Sequence, residues 1–220
     1  MTEPQSGAAH FEQTFAIAED FASLSHAARR VLAMSAALFH QRGAGGTSIR
    51  DITGACGLTP GAFYKHFASK DDVLYILVCH GHESLDRRLA ASAAAAGPTR
   101  RAQLAAFVRA YVLAHLDSPQ LSQLVRREYT YLSPERREEI IERRRGLRRR
   151  LAALLLDGDA DGTFHLVGGQ DAATRSAVMI LDMCSRTSEW YHADRGGMSG
   201  PQLAERYVEA SLRLVGARRD

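Results

Sequence analysis

The stretch Thr47–Lys70, TSIRDITGACGLTPGAFYKHFASK, decides the fold of this 220-residue chain. It is typical of two short helices joined by a tight turn. Ser48 and Asp51 have the three-residue spacing of a capping box, so we expect the first helix to start at Thr47 or Ser48. Gly57 then supplies the permissive backbone that a sharp turn needs. The pattern therefore predicts a helix-turn-helix unit.

The second helix of this stretch has one apolar side and one side suited to DNA. Thr59 is a good N-cap, and Pro60 occupies the first helical position, where its missing N–H costs nothing. Phe63 and Phe67 fall on one side of the helix and anchor it. The opposite side is small, hydrogen-bonding and cationic, with Gly61, Ala62, Tyr64, Lys65 and His66. Such a surface can reach phosphates and base edges in the major groove.

The same reasoning assigns each polar residue of the unit a role on DNA. Lys70 follows Ser69 at the start of the next helix, where its ammonium and the free backbone N–H groups favour a phosphate. The predicted phosphate contacts are Thr47, Ser48, Tyr64 and Lys70. The predicted base contacts are Gly61, Ala62, Lys65 and Arg50. Thr59, Pro60 and His66 complete the predicted interface.

These residues resemble the DNA-binding domain of the tetracycline-repressor (TetR) family. The resemblance rests on ALFHQRGAGGTS followed by IRDITGACGLTPGAFYKHFASKDDVL, and it extends from about His26 to Asp86. It implies a three-helix DNA-binding domain at residues 25–86. It also implies a homodimer that binds palindromic operator DNA and pairs through its last two helices.

The composition is that of an ordinary globular protein of one large or two small domains. Hydrophobic residues make up 45% and charged residues 24%, and the formal net charge is +3. Three cysteines without metal-ligand spacing favour a reduced, cytoplasmic chain, and we predict no metal site. No apolar run reaches the length of a membrane span, and no secretory leader is evident.

Beyond the DNA-binding unit the pattern is helical throughout, so we predict an all-α fold with two domains. Residues 1–24 are expected to form a partly disordered arm, whose aromatic residues either pack on the body or extend to DNA or to a partner subunit. Gly97-Pro98 marks a break. We expect helices at about 99–116, 119–131, 134–156, 170–192 and 201–216, and a ligand-binding and dimerisation domain over residues 87–220.

Three groups of side chains could line an effector pocket in this second domain. Apolar walls with a few cations suit a ligand that has a hydrophobic portion and an anionic group. The candidate ligand-binding residues are Phe107, Tyr111, Arg127, Tyr131, Met183, Arg186 and Trp190. The alternative is that the Met and aromatic stripes are ordinary core and that the arginines form salt bridges.

The second domain has a further resemblance, to the TetR branch that answers to acyl-CoA thioesters. It rests on VRREYTYLSPERREEIIERRRGLRRRLAALL and on Trp190, Tyr191, His192, Gly196 and Gly197. Glu189 stands where that branch has Arg, and Ala-Asp-Arg replaces a single Pro. The resemblance implies an acyl-CoA effector from lipid, steroid or aromatic-acid catabolism. The alternative is a non-CoA hydrophobic or aromatic ligand.

Other patterns leave competing interpretations open. Asp157–Gly162 has the spacing of a calcium loop but lacks the closing Glu, which favours a polar connection between helices. The arginine-rich segment 136–150 is either a solvated, salt-bridged face or a source of phosphate ligands. No nucleophile–base pairing supports an enzyme. We therefore expect a ligand-responsive transcriptional repressor without a cofactor, rather than an enzyme or an architectural DNA binder.

Overall fold

A computed structural model describes residues 9, 11, 21–192 and 197–217 of the chain. Within these ranges the chain forms helices and no strand, which confirms the predicted all-α class. Most of the predicted N-terminal arm, and Gly196 with the preceding Ala-Asp-Arg, lie outside the described residues.

The helices follow one another with short connections. In chain order they are α1 His26–Arg42, α2 Ile49–Cys56, α3 Pro60–Tyr64, α4 Lys70–Ala94, α5 Arg100–Asp117, α6 Pro119–Glu128, α7 Pro134–Ala160, α8 Ala172–Ser185, α9 Thr187–Trp190 and α10 Gly200–Leu214, with 3-10 turns at Tyr129–Tyr131 and Gly169–Asp171. None of the described helices is long and apolar enough to cross a membrane.

The chain divides into two compact units, and the first is not continuous in sequence. It consists of the described residues up to His82 together with Gln123–Ile140. The second consists of Glu83–Ser122 and the described residues from Ile141 onward. The end of α6, the following 3-10 turn and the start of α7 therefore belong to the same unit as the helix-turn-helix.

Local signals in the sequence set the geometry of the helix-turn-helix. Ser48 forms the predicted capping box with Asp51, so α2 begins after Ser48 rather than after Thr47. Gly57 ends α2 in the left-handed conformation, with φ 65°. Thr59 accepts a hydrogen bond from the backbone N–H of Ala62 and caps α3 as predicted.

The first unit closes around an apolar core. Ile52 of α2 and Phe63 of α3 are fully buried, and Phe67 is 6% exposed. Phe11 and Phe21 of the N-terminal arm are also buried, and the Phe21 ring lies 4.6 Å from that of His80. These two aromatic residues favour the packing role for the arm.

In the second unit α10 packs along α5, and α8 also packs against α5. Leu104 and Val108 of α5, Ile180 of α8 and Val208 of α10 share one buried core. Ser199 and Gln202 form a second capping box that starts α10.

Several helix ends differ from the prediction. The second helix of the DNA-binding unit stops at Tyr64, and Ser69 caps α4 by accepting from the N–H of Asp72. α7 continues to Ala160, beyond the expected end at 156, where Phe164 folds back onto Gly158. The helix expected at 170–192 is divided into α8 and α9 at Arg186.

Candidate nucleic-acid interface

The face of α3 opposite its buried phenylalanines is open to solvent. Gly61, Lys65 and His66 are exposed, and Tyr64 is 57% exposed. Lys65 and His66 lie in the turn that directly follows α3, not in the helix itself. This arrangement leaves the polar side chains of the unit free to enter a groove of DNA.

Two cations of the helix-turn-helix, Arg50 and Lys65, have no ion-pair partner among the described residues. Arg50 lies on α2 and Lys65 in the turn after α3, and both are exposed. Exposed cations without an ion-pair partner raise the local positive potential, which favours phosphate binding although the formal net charge of the chain is only +3.

The start of α2 presents a polar cluster at the edge of this surface. The Ser48 hydroxyl donates to Asp51 Oδ2 over 2.6 Å and accepts from the Asp51 N–H. These hydrogen bonds from Ser48 hold the pKa of Asp51 below its ordinary value, and the charges of Arg42 and Lys70 add to the effect. Arg42 is exposed and was not among the predicted site residues, although a basic residue in the last turn of α1 was the signal for it.

Two predicted phosphate contacts have inward-facing polar groups. Thr47 is 1% exposed, and its hydroxyl donates to the Gly43 carbonyl over 2.8 Å. The Lys70 ammonium donates to the backbone carbonyls of Ala44 and Thr47 at 2.5 and 2.7 Å. Both side chains therefore stabilise the connection between α1 and α2. The expectation that they face solvent came from local spacing alone.

The predicted effector residues of α5 lie in an aromatic row. The Phe107 and Tyr111 rings are stacked with centroids 6.0 Å apart, and Tyr111 also contacts His115 at 4.5 Å. Tyr111 is buried, and burial raises the pKa of its phenol. Its neighbours in the core include Val108 and Cys184.

The predicted effector residues near the end of α8 are more open than a buried pocket lining would be. Met183 is partly buried against the core. Arg186 pairs with Glu189 at 3.6 Å, and its side chain is 63% exposed. Trp190 is 53% exposed. The helix break at Arg186 explains the difference, because the prediction assumed one continuous helical face.

The remaining two predicted effector residues belong to the first unit. Arg127 and Tyr131 fall within Gln123–Ile140. Tyr131 lies against Gly45, where an added Cβ would come within 2.7 Å of the Tyr131 ring. The structure therefore groups these two residues with the helix-turn-helix and not with Phe107, Tyr111 and the α8 residues.

The polar patterns of uncertain role are largely engaged within the chain. In the loop that resembles a calcium site, Asp157 pairs with Arg100 at 3.0 Å and Asp159 accepts from the Leu166 N–H. Along α7, ion pairs join Arg145 and Arg149 to Glu142, and Arg150 to Asp86. No group of three potential metal ligands occurs among the described residues.

Comparisons with known proteins agree with this architecture. The family model "Bacterial regulatory proteins, tetR family" matches residues 31–75, and "Tetracyclin repressor-like, C-terminal domain" matches residues 97–215. A crystal structure of a tetR-family regulatory protein from Rhodococcus RHA1 is 30% identical, with a TM-score of 0.77 over 89% of this chain and 100% of that one.

Two named regulators are also similar. The HTH-type transcriptional repressor KstR2 of Mycobacterium tuberculosis is 41% identical over 44 residues, which are 20% of this chain and 22% of that relative. The KstR2 structure, described as a ketosteroid transcriptional regulator, has a TM-score of 0.76 at 22% identity over 89% of this chain and 98% of that one. The structure of AibR with isovaleryl coenzyme A and operator DNA has a TM-score of 0.73 at 21% identity over 88% of this chain and 100% of that one.

A capped helix-turn-helix with an exposed polar face, followed by a helical second unit, is typical of a DNA-binding transcriptional regulator. The chain belongs to the TetR family, as the two family models and the Rhodococcus structure establish. It is accordingly not an enzyme.

Proposed function

We propose that the chain is a homodimeric, cytoplasmic repressor that binds a palindromic operator and is released by a small effector. The observation that supports DNA binding is the exposed polar face of the helix-turn-helix, with Phe63 and Phe67 buried behind it. In this proposal Gly61, Ala62, Lys65 and Arg50 read bases. Ser48, Thr59, Pro60, Tyr64, His66 and Arg42 contact the backbone or position the helix on it.

The proposed dimer forms through the last helices of the second unit. Apolar side chains remain exposed there, with Met179 of α8 at 54% and Leu214 of α10 at 37%. Leu203 of α10 is only 6% exposed, so it belongs to the subunit's own core and not to the proposed contact face. A two-fold dimer places two recognition helices about 34–36 Å apart, one turn of DNA.

The proposed effector is an acyl-CoA thioester. The support is the second-domain resemblance together with the isovaleryl coenzyme A bound in the AibR structure. In this proposal Phe107 and Tyr111 contact the acyl part, and Met183, Arg186 and Trp190 of α8 and α9 are the further candidate contacts. The alternative effector is a non-CoA hydrophobic or aromatic ligand. A ligand releases DNA only if it favours the conformation whose recognition helices are wrongly spaced.

The experiment is fluorescence anisotropy with DNA from the region upstream of the gene. The probes are free acids, their CoA thioesters and CoA alone. Release by thioesters, but not by free acids or CoA, supports the proposed effector. Tight binding that no thioester releases rejects this effector and leaves the DNA-binding proposal intact.

Lys65→Ala tests the interface itself. Because one base-edge contact is worth about 1–3 kcal/mol, we expect operator affinity to fall by about 5- to 150-fold, with the fold and the dimer unchanged. Arg88→Ala is the matched control, since Arg88 is an exposed arginine of the second unit paired with Asp117. Equal operator affinity of the two variants would remove Lys65 from the interface.

A further inference from the structure

The backbone of Ala44 is held from both sides by charged groups. A Glu128 carboxylate oxygen accepts from the Ala44 N–H over 2.6 Å, and the Lys70 ammonium donates to the Ala44 carbonyl over 2.5 Å. Hydrogen bonds in which one partner is ionised are the strong ones in proteins. An anion and a cation therefore fix a single residue in the connection between α1 and α2.

Glu128 reaches this position from 84 residues away in sequence. It is 8% exposed, and it forms no ion pair among the described residues. Burying a carboxylate is costly unless hydrogen bonds compensate for its lost hydration. The Ala44 amide donates one such hydrogen bond, and the nearby His40 also interacts electrostatically with the carboxylate, so the position of the loop and the burial of Glu128 depend on each other.

Three glycines of the loop that Glu128 holds lie close to other atoms. Gly43 ends α1 at φ 77°, a left-handed conformation, and a Cβ there would lie 3.6 Å from Glu128 Oε2. A Cβ on Gly45 would meet the Tyr131 ring, and one on Gly46 would come within 2.6 Å of the Arg42 carbonyl oxygen. Side chains or backbone therefore lie close to three of the loop's glycines.

This loop determines where the DNA-binding helices begin. Ser48 caps α2 directly after the loop, and Gly57 then sets the angle from α2 to α3. A displacement of Ala44 is passed to Ser48 through the three intervening residues of the backbone and through the hydrogen bonds of Lys70 to the Ala44 and Thr47 carbonyls. A recognition helix tolerates little displacement, because bidentate base contacts need correct distance and angle.

We propose that Glu128 is a positioning residue for operator recognition, acting through the Ala44 amide on the placement of α2 and α3. The proposal rests on the DNA-binding role assigned above to the face of α3. Glu128 does not touch DNA in this scheme. It selects the loop conformation in which the bases can be read, so its loss should affect specific binding more than the sequence-independent attraction to phosphates.

Three substitutions of Glu128 separate the hydrogen bond from the charge. Glu128→Gln keeps an acceptor oxygen at the same reach without the charge, so operator affinity should stay within about threefold of wild type. Glu128→Asp withdraws the carboxylate by one methylene, and Glu128→Ala removes it. We expect operator affinity to fall by about threefold or more for Glu128→Asp and by about tenfold or more for Glu128→Ala, as for one weakened base contact. Glu135→Ala, an exposed glutamate of the same unit, is the control.

The measurements are affinity for operator and for non-specific duplex at one salt concentration, the salt slope, and the Ala44 amide resonance in a 15N-labelled dimer. The proposal predicts a lower specific-to-non-specific ratio, an unchanged salt slope and an upfield shift of the Ala44 amide proton in the Asp and Ala variants. If Glu128→Ala does not fold, the comparison of operator affinity between Glu128→Asp and Glu128→Gln tests the proposal instead.

Three outcomes would overturn the proposal: an unchanged affinity ratio in the Asp variant, equal loss of specific and non-specific binding, or a Gln variant as weak as the Asp variant. Lys65→Ala in the same assay keeps the two ideas apart. If Lys65→Ala has no effect while the Glu128 variants lose specificity, the interface assignment fails and the positioning role of Glu128 does not.

Discussion

Replacement of Arg136 by alanine should destabilise the first unit, and its effect can be worked out from the contacts that Arg136 makes. Its guanidinium bonds to Asp71 at 2.7 Å and also to Asp72, with the three side chains 31%, 29% and 23% exposed. It also lies 4.8 Å from the centroid of the Tyr75 ring. The substitution leaves two neighbouring carboxylates without their shared cation.

The expected loss is about 3 kcal/mol. Two charge-assisted hydrogen bonds contribute about 1.5–3 kcal/mol each, and partial exposure reduces that sum by about half. The contact with the Tyr75 ring adds about 0.5–1 kcal/mol. At about 2–4 °C per kcal/mol for a chain of this size, the midpoint of thermal unfolding should fall by about 6–12 °C.

The loss of stability caused by Arg136→Ala should also depend on pH, and it should be larger at neutral pH than in acid. The hydrogen bond from Arg136 is the largest cause holding the pKa of Asp72 below its ordinary value. A carboxylate with a lowered folded-state pKa contributes stability above its unfolded pKa of about 4, and that contribution is lost as the pH falls through the folded value. Wild type and Arg136→Ala should therefore differ fully at pH 7 and converge in acid.

The assay is thermal unfolding by circular dichroism at several pH values between 3 and 8. Arg137→Ala is the matched control, because Arg137 is the exposed neighbour in the same turn of α7 and has no partner among the described residues. Equal midpoints for the two variants at pH 7 would refute the reasoning. A difference that persists undiminished at pH 3 would refute the electrostatic part of it.

Two further substitutions test the packing. Gly158→Ala should destabilise the second unit by about 1–3 kcal/mol, because the new Cβ would lie 3.1 Å from Phe164 Cγ and closer still to two other ring atoms. Gly146→Ala, in an open part of the same helix, should instead stabilise the unit by about 0.5–1 kcal/mol. Thermal unfolding midpoints that shift in the same direction for both variants would contradict this prediction. Tyr75→Phe removes a hydroxyl that donates to Glu139 over 2.5 Å at an exposed site. We expect the free energy of unfolding, measured in urea, to fall by about 1 kcal/mol. An unchanged free energy of unfolding would contradict the contribution of this hydrogen bond.

The DNA-binding unit was largely predictable because its signals are local. The Ser48 capping box, the left-handed Gly57 and the Thr59-Pro60 helix start all act within four residues of their partners, so they leave a readable spacing. The short length of α3 was not predictable in this way. Ser69 caps the next helix, so α3 had to end before that residue, but this spacing did not indicate an end as early as Tyr64.

Contacts between distant residues explain most of what the sequence could not provide. Lys70 looked like a phosphate ligand because it starts a helix, but it binds carbonyls 23 and 26 residues before it. Arg136 was part of a run whose arginines are indistinguishable by periodicity, and only the fold brings this one to Asp71 and Asp72. Glu128 left no pattern, since a single hydrogen bond over 84 residues has no repeat.

The discontinuity of the first unit limits how this regulator can be rebuilt from parts. Residues 123–140 lie inside the match to the C-terminal family model, yet they are grouped with the helix-turn-helix. A chimaera with a single junction near residue 86 would combine this helix-turn-helix with another protein's version of the segment that carries Glu128 and Arg136. A hybrid that exchanges operator preference between relatives should therefore transplant both pieces together, with three junctions instead of one.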